Sequence, residues 1–255
     1  MHAPSFAKIN WSLRITGKRA DGFHDLETIF QTISLHDELT FRDSDRLSLT
    51  CDDPTIPTDD TNLVLRAAHA VSARPAAIEL KKRIPAGGGL GGGSSNAATT
   101  LLTLGAGRND LAELALNLGS DVPFFLVGGT AYATGRGEVL TSIAPMSGIA
   151  LLLLLPEERV LTKDAFARIT RYSQPLGIDA YTRGFEVFTN DFEEPVFAML
   201  PRLRELKERL YAAGATFAAM SGSGSTLFGA FKSAAARDGA AALFRDVRVE
   251  RADSI

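Results

Sequence analysis

The chain has 255 residues, 45% of them hydrophobic, a formal net charge of -3 and one cysteine, Cys51. That is enough apolar material for one large domain or two, and the charge balance, with no basic block, excludes a nucleic-acid-binding surface as the main business. One cysteine cannot form an internal disulfide, no CxxC or HExxH spacing offers a zinc site, and no charged-then-apolar leader opens the sequence.

In chain order, residues 8–15 and 26–39 read as strands, joined by a turn over 16–24 that Gly17, Asp21 and Gly22 mark. Asp59 or Asp60 is placed to cap a helix over 61–72, with Leu63, Leu65, Ala68 and Val71 on its apolar face. Residues 77–84 alternate apolar Ile78, Leu80 and Ile84 with polar Glu79, Lys81 and Arg83, the period-two pattern of a strand buried on one face. Then comes PAGGGLGGGSS at 85–95, running into a helix expected over 96–102. Asp110 and Glu113 suggest a capping box for a helix over 111–118, with Gly119 as its left-handed stop. SDVP at 120–123 reads as a turn before apolar 124–127, and 130–133 as a strand. The pattern resets around 145–148, where a domain boundary is expected between 1–146 and 147–255. Residues 149–155 form an apolar run typical of a strand covered on both faces, far short of the ~20 residues a membrane helix needs. Helices are expected near 163–171, 195–213 and 233–244, with a second glycine segment, SGSGSTLFG, at 221–229 that by itself reads as a hairpin turn at a sheet edge.

The first glycine segment carries most of the functional information. A stretch so poor in side chains presents backbone N–H groups, and at a helix start those groups and the macrodipole favour an anion. A Walker A loop aligned at 88–95 has Ser94 where its lysine belongs, so no lysine reaches a terminal phosphate from here. The dinucleotide fingerprint GxGxxG fits Gly87, Gly89 and Gly92, with Asp110 near the distance of a ribose-binding acid. The polar face of 77–84 argues against the fully covered parallel strand that such a site follows. A flexible linker would gain nothing from being tied to a helix start.

The loop at 85–96, taken with AKIN at 7–10 and the segment 221–229, resembles the three motifs of the GHMP superfamily of small-molecule kinases, in the superfamily's order. The stretches 7–33 and 118–126 are similar to its members that phosphorylate a cytidine diphosphate-linked methylerythritol, and the likeness runs nearly end to end. The resemblance implies an α+β fold of two lobes, the N-terminal one like ribosomal protein S5 domain 2 and the C-terminal one ferredoxin-like. It implies an ATP-dependent transfer of the γ-phosphoryl group to the substrate's 2-hydroxyl. By motif position the catalytic lysine and aspartate fall on Lys8 and Asp121. The ATP loop falls on Pro85, Ala86, Gly87, Gly88, Gly89, Leu90, Gly91, Gly92, Gly93, Ser94 and Ser95, and the adenine contacts on Asn62, Leu63 and Lys82. The substrate falls to Asn10, Phe23, His24 and Phe188, the last through FTND at 188–191. Without the resemblance, Asp121 reads equally as a helix cap, Lys8 as a surface lysine of an edge strand and His24 as a solvated turn residue.

Mg²⁺ accompanies ATP in this picture, with Ser94 or Ser95 offering a hydroxyl to it or to a phosphate oxygen; no residue is assigned as a dedicated metal ligand. Homoserine and mevalonate-type kinases of the same superfamily are the alternatives, and the GFH segment at 22–24 favours a base-reading pocket. A cytoplasmic monomer or homodimer is expected, acting on small molecules, with no nucleic acid and no membrane. The link GAGRN at 105–109 is shorter than the superfamily's usual connection after the phosphate-loop helix.

Overall fold

The computed structural model describes residues 1–71 and 75–255. Two compact units divide them, each assembled from separate segments. The first is Met1–Ala7, Leu35–Ala86 and Gly91–Gly128; the second is Lys8–Ser34, Gly87–Leu90 and Gly129–Ile255. The cut expected at 146 is a cut in sequence, whereas strands β1 (His2–Lys18) and β2 (His24–Asp43) each contribute residues to both units. Both strands outrun their predicted lengths, and the turn between them shrinks to Arg19–Phe23, closed by Arg19 N–H on Phe23 O at 2.8 Å.

In the first unit, residues 38–43 of β2 pair antiparallel with β4 (Ala76–Lys81), and β3 (Ser48–Cys51) adds in parallel to the other edge of β4. Alternation places Leu39, Phe41, Leu49, Ile78 and Leu80 on one face, against Val64, Leu65 and Ala68 of helix α1 (Leu63–Ala70). A second cluster joins Ala67 and Val71 to Ala97, Ala98 and Leu101 of α2 (Gly92–Leu104), Ala115 of α3 (Leu111–Leu118) and Val122 of α4 (Val122–Val127).

Several helix ends correct the sequence reading. Asn62, rather than Asp59 or Asp60, caps α1 by accepting from Val64 N–H at 2.9 Å, because Asp59 is occupied by Thr61. The predicted last residue of that helix, Ser72, lies outside the described residues. The α3 limits match the expectation, but Asp110 makes no capping bond and pairs with Arg108 instead. Gly119 is extended (φ 168°) rather than left-handed. Residues 122–127 form a short helix in place of the expected turn and apolar strand-like run.

In the second unit, residues 28–31 of β2 pair with β5 (Thr130–Thr134), which pairs with β6 (Val139–Ser142). A separate antiparallel sheet has the order β10-β7-β9-β8, from β7 (Ala150–Leu155), β8 (Phe217–Met220), β9 (Leu227–Phe231) and β10 (Arg248–Asp253). All six residues of β7 are buried, as its uninterrupted apolar run requires. Its core includes Leu152 and Leu154 with Leu203, Leu206 and Leu210 of one helix (Pro201–Ala212) and Val196 and Phe197 of another (Glu193–Met199). The single helix expected over 195–213 is thus two, because Pro201 has no N–H to continue the first and suits the first turn of the second.

Glu27 is the most heavily bonded carboxylate of this unit. It is 1% exposed and accepts from the hydroxyls of Tyr132 (2.9 Å) and Tyr181 (2.7 Å) and from the N–H groups of Leu176 and Gly177 (2.9 Å each). Burial by itself raises its pKa, but the four donors outweigh it and hold the carboxyl below its ordinary range. Burial and then Glu27 push the Tyr132 phenol up to about 12 and raise that of Tyr181 further. A depressed carboxylate contributes stability that is present above its unfolded pKa of about 4.3 and lost as pH falls through the folded value. Glu27→Gln is therefore expected to lose on the order of 2 kcal/mol at pH 7. Its deficit relative to wild type should shrink as pH drops below about 4. Urea melts at pH 7 and pH 3.5 check this; an equal deficit at both pH values counts against an ionised Glu27.

Candidate active site

The first unit holds the start of α2 and its surroundings. The helix begins at Gly92, inside the glycine run and four residues earlier than expected. Its cap position, Gly91 (φ 70°), offers no side-chain bond and no acid lies in the first turn. Among the described residues the cap position thus gives the first-turn N–H groups of α2 no side-chain acceptor, the condition in which a helix start binds an anion. Gly92 is needed for packing: a Cβ there would stand 2.9 Å from Ile84 Cγ2. Ser95 turns inward, donating to Phe6 O at 2.6 Å and meeting Ser5 Oγ at 2.8 Å, while Ser94 stays half-exposed.

Asn62 is half-buried and spent on capping α1 and on Pro57 O. Leu63 Cδ1 would lie 3.7 Å from a Cβ on Gly93, so this side chain flanks the loop. Lys82 has its side chain 7% exposed and its ammonium paired with Asp37. Asp121 occupies the residue before α4, and its carboxylate makes no capping bond; the cap reading is not realised.

The second unit holds Lys8. It is 3% exposed, so the surface-lysine reading fails. Its N–H donates to Leu90 O at 3.0 Å, and its ammonium donates to Asn10 Oδ1 at 2.6 Å and lies 5.3 Å from the centre of the Phe30 ring. Asn10 is oriented in turn: its Nδ2 donates to Thr28 Oγ1 at 2.8 Å, whose own hydrogen goes to Ser12 O at 2.6 Å. The amide oxygen is thereby left facing the lysine.

The segment 221–229 is indeed a hairpin, linking β8 to β9 at a sheet edge. It also packs onto the first glycine segment: Ser221 Oγ donates to Gly89 O at 2.9 Å and Thr226 N–H to Gly88 O at 3.3 Å. Asn190 holds the hairpin from behind, donating to Met220 O and Gly222 O at 2.7 and 2.8 Å. A Cβ on Gly222 would lie 3.5 Å from Lys8 Nζ, so lysine, hairpin and residues 88–90 converge.

Phe23 and His24 sit where the turn rejoins β2. Phe23 is 50% exposed, with the Arg136 guanidinium 4.6 Å from its ring centre. His24 stacks on Phe166 at 4.6 Å and 15°. Burial and, second, the charge of Lys18 lower its pKa, so the ring is neutral at pH 7. Phe188 is placed differently: it is 7% exposed and packed edge-on against Phe185 and Phe217.

Sequence reasoning missed Arg159, whose Nη1 lies 3.5 Å from where a Cβ on Gly87 would stand, a guanidinium against the loop. An arginine in a PEER run carries no signal that separates it from surface charge. Phe166 and Asp37 were equally silent, since only folding brings them to their partners.

Comparison with known proteins identifies the family. Residues 62–129 match the family described as GHMP kinases N terminal domain, and 174–247 the one described as GHMP kinases C terminal. The 4-diphosphocytidyl-2-C-methyl-D-erythritol kinase of Chlorobium phaeobacteroides (strain BS1) is 42% identical over 265 residues, spanning 95% of this chain and 93% of that protein. The protein of the same name from Pelodictyon phaeoclathratiforme is 41% identical over 89% of this chain and 88% of its own length. A crystal structure of 4-(cytidine 5'-diphospho)-2C-methyl-D-erythritol kinase superposes with a TM-score of 0.88 at 34% identity, covering 100% of this chain and 99% of that one. The Methanococcus jannaschii mevalonate kinase shares the fold at 14% identity and a TM-score of 0.72.

Proposed function

Because the chain belongs to the GHMP kinases, and among them to the family of 4-diphosphocytidyl-2-C-methyl-D-erythritol kinases, we propose that it transfers the γ-phosphoryl group of ATP to the 2-hydroxyl of that cytidine-linked substrate. The new bond joins the 2-oxygen to the γ-phosphorus, the β–γ bridging bond breaks, and ADP leaves. The observation that carries this reading is the buried Lys8 ammonium, oriented by Asn10 and lying beside a hairpin that packs on Gly88 and Gly89.

Phosphoryl transfer leaves little bond-making to the protein, so catalysis is alignment and charge neutralisation. Main-chain amides at the start of α2 bind the diphosphate, and Lys8 and Arg159 supply the positive charge that the loop lacks. Asp121 orients the acceptor hydroxyl and takes its proton. Among the described residues no group of three His, Cys, Asp or Glu could hold a metal. The half-exposed Ser94 hydroxyl fits a cation that arrives with the nucleotide, as Mg²⁺ does. Held there, Mg²⁺ would supply positive charge that offsets the negative charge of the phosphates. The reading needs only small-molecule partners and a cytoplasmic setting, and no described helix is long and apolar enough to cross a membrane.

ADP release measured with the cytidine-linked compound, homoserine and mevalonate tests the proposal. Turnover with the first alone is expected; comparable turnover with either of the others overturns it. His24, neutral and held flat by Phe166, is assigned to the pyrimidine edge, where it both donates and accepts. His24→Ala is expected to lose the preference for the cytidine over the uridine form by about ten-fold or more. An unchanged ratio removes His24 from base recognition.

A further inference from the structure

Both ends of the glycine loop are tied to one side chain. Asp37, on β2 with no exposed surface, accepts through Oδ1 from the N–H groups of Arg83 (2.7 Å) and Ile84 (2.8 Å), immediately before the loop. Through Oδ2 it accepts from Asn96 Nδ2 (2.9 Å), in the second turn of α2 just after the loop, and from the Lys82 ammonium. Asn96, 3% exposed, also donates to Ser5 Oγ at 2.9 Å, and its amide oxygen faces Lys82 Nζ at 3.4 Å. The remaining partner of Ser5 is Ser95, whose hydroxyl is held by Phe6 O.

A buried ion pair is weak evidence for stability, because desolvation offsets most of its attraction. What this one specifies is a distance. The chain enters the loop at 83–84 and leaves it along α2, and each end is bonded to a different oxygen of the same carboxylate. We propose that Asp37 is a positioning residue for ATP: it clamps entry and exit of the loop, so that the amides are pre-set for polyphosphate before nucleotide arrives. Lys82 serves the nucleotide through this clamp, its ammonium being committed to Asp37. The inference rests on the ATP-dependent reading above.

Asp37→Asn keeps an oxygen for Arg83 and Ile84 but turns an NH₂ toward Asn96 and Lys82, which releases the exit end and leaves an ammonium buried without its anion. Adding Lys82→Met removes that charge. Both the single and the double variant are expected to bind ADP about ten-fold more weakly or worse by calorimetry, with KM for ATP rising in step. KM for the cytidine-linked substrate should stay within about two-fold and kcat at saturating ATP within about three-fold. Should either variant fail to fold, Asn96→Ala, which frees only the exit end and leaves the ion pair, is expected to weaken ADP in the same way. The clamp is overturned by a folded variant with wild-type ADP affinity, by a double variant that regains it, or by the two KM values rising together. Wild-type protein that binds no adenine nucleotide overturns the ATP reading and the clamp with it; wild type that binds ADP no better than the variants overturns the clamp alone.

Discussion

Asp121→Asn is expected to bind ADP with wild-type affinity and to turn over about 10³-fold more slowly, within the range of two to four orders of magnitude found for general bases. The carboxylate stands at the residue before α4 and makes no capping bond there, so the substitution removes no helix cap. A carboxylate is a weak base toward an alcohol, but in a loose transition state the proton leaves late and orientation matters most. An asparagine keeps the shape and presents an N–H₂ where the hydroxyl proton should go. Calorimetric ADP affinity and kcat, measured on the same preparation, check the split. A variant with wild-type kcat takes Asp121 out of the mechanism.

Gly89→Ala is expected to be the most damaging single methyl group in the chain. Gly89 has φ 78°, and a Cβ there would meet Ser221 O at 2.0 Å and Ser221 C at 3.0 Å, both backbone atoms that no rotamer change can move. The hairpin would have to part from residues 88–89, breaking the Ser221 hydroxyl bond to Gly89 O. A drop of roughly 100-fold in kcat/KM is expected, with a loss of about 1–3 kcal/mol in stability. Gly148→Ala is the control: φ there is 79°, and nothing lies within 4 Å of its would-be Cβ. It should cost only the backbone strain of about 1–2 kcal/mol and leave kcat/KM unchanged. If both variants behave alike, the contact between the two glycine segments does no more than the left-handed conformation itself.

Much of the architecture is legible in the residues. The alternation of Ile78 and Leu80 with Glu79 and Lys81 describes a strand with one wet face, and residues 150–155 are apolar throughout because both faces of β7 are covered. Pro201 announces the break between two helices that hydrophobic spacing alone had merged. Less legible is where α2 begins. Glycine lowers helix propensity, so the run reads as loop up to Ser95, but close approach of Ile84 makes Gly92 a packing requirement inside the helix.

The site divides along the same physical line. The composition and order of the chain alone determined that bare main-chain amides precede a helix, that no loop lysine serves them, and that AKIN, the SDVP aspartate and SGSGS accompany them. Those are local facts, set by which side chains are absent or adjacent. Only the tertiary structure decided that Lys8 is buried on Asn10 rather than exposed at an edge, and that Phe188 is packed among phenylalanines while Phe166 lies on His24. It alone brought Asp37 to residues 45 to 59 positions away. Burial and hydrogen-bond partnership depend on which distant segments the hydrophobic core draws together, and no local pattern of residue types records that.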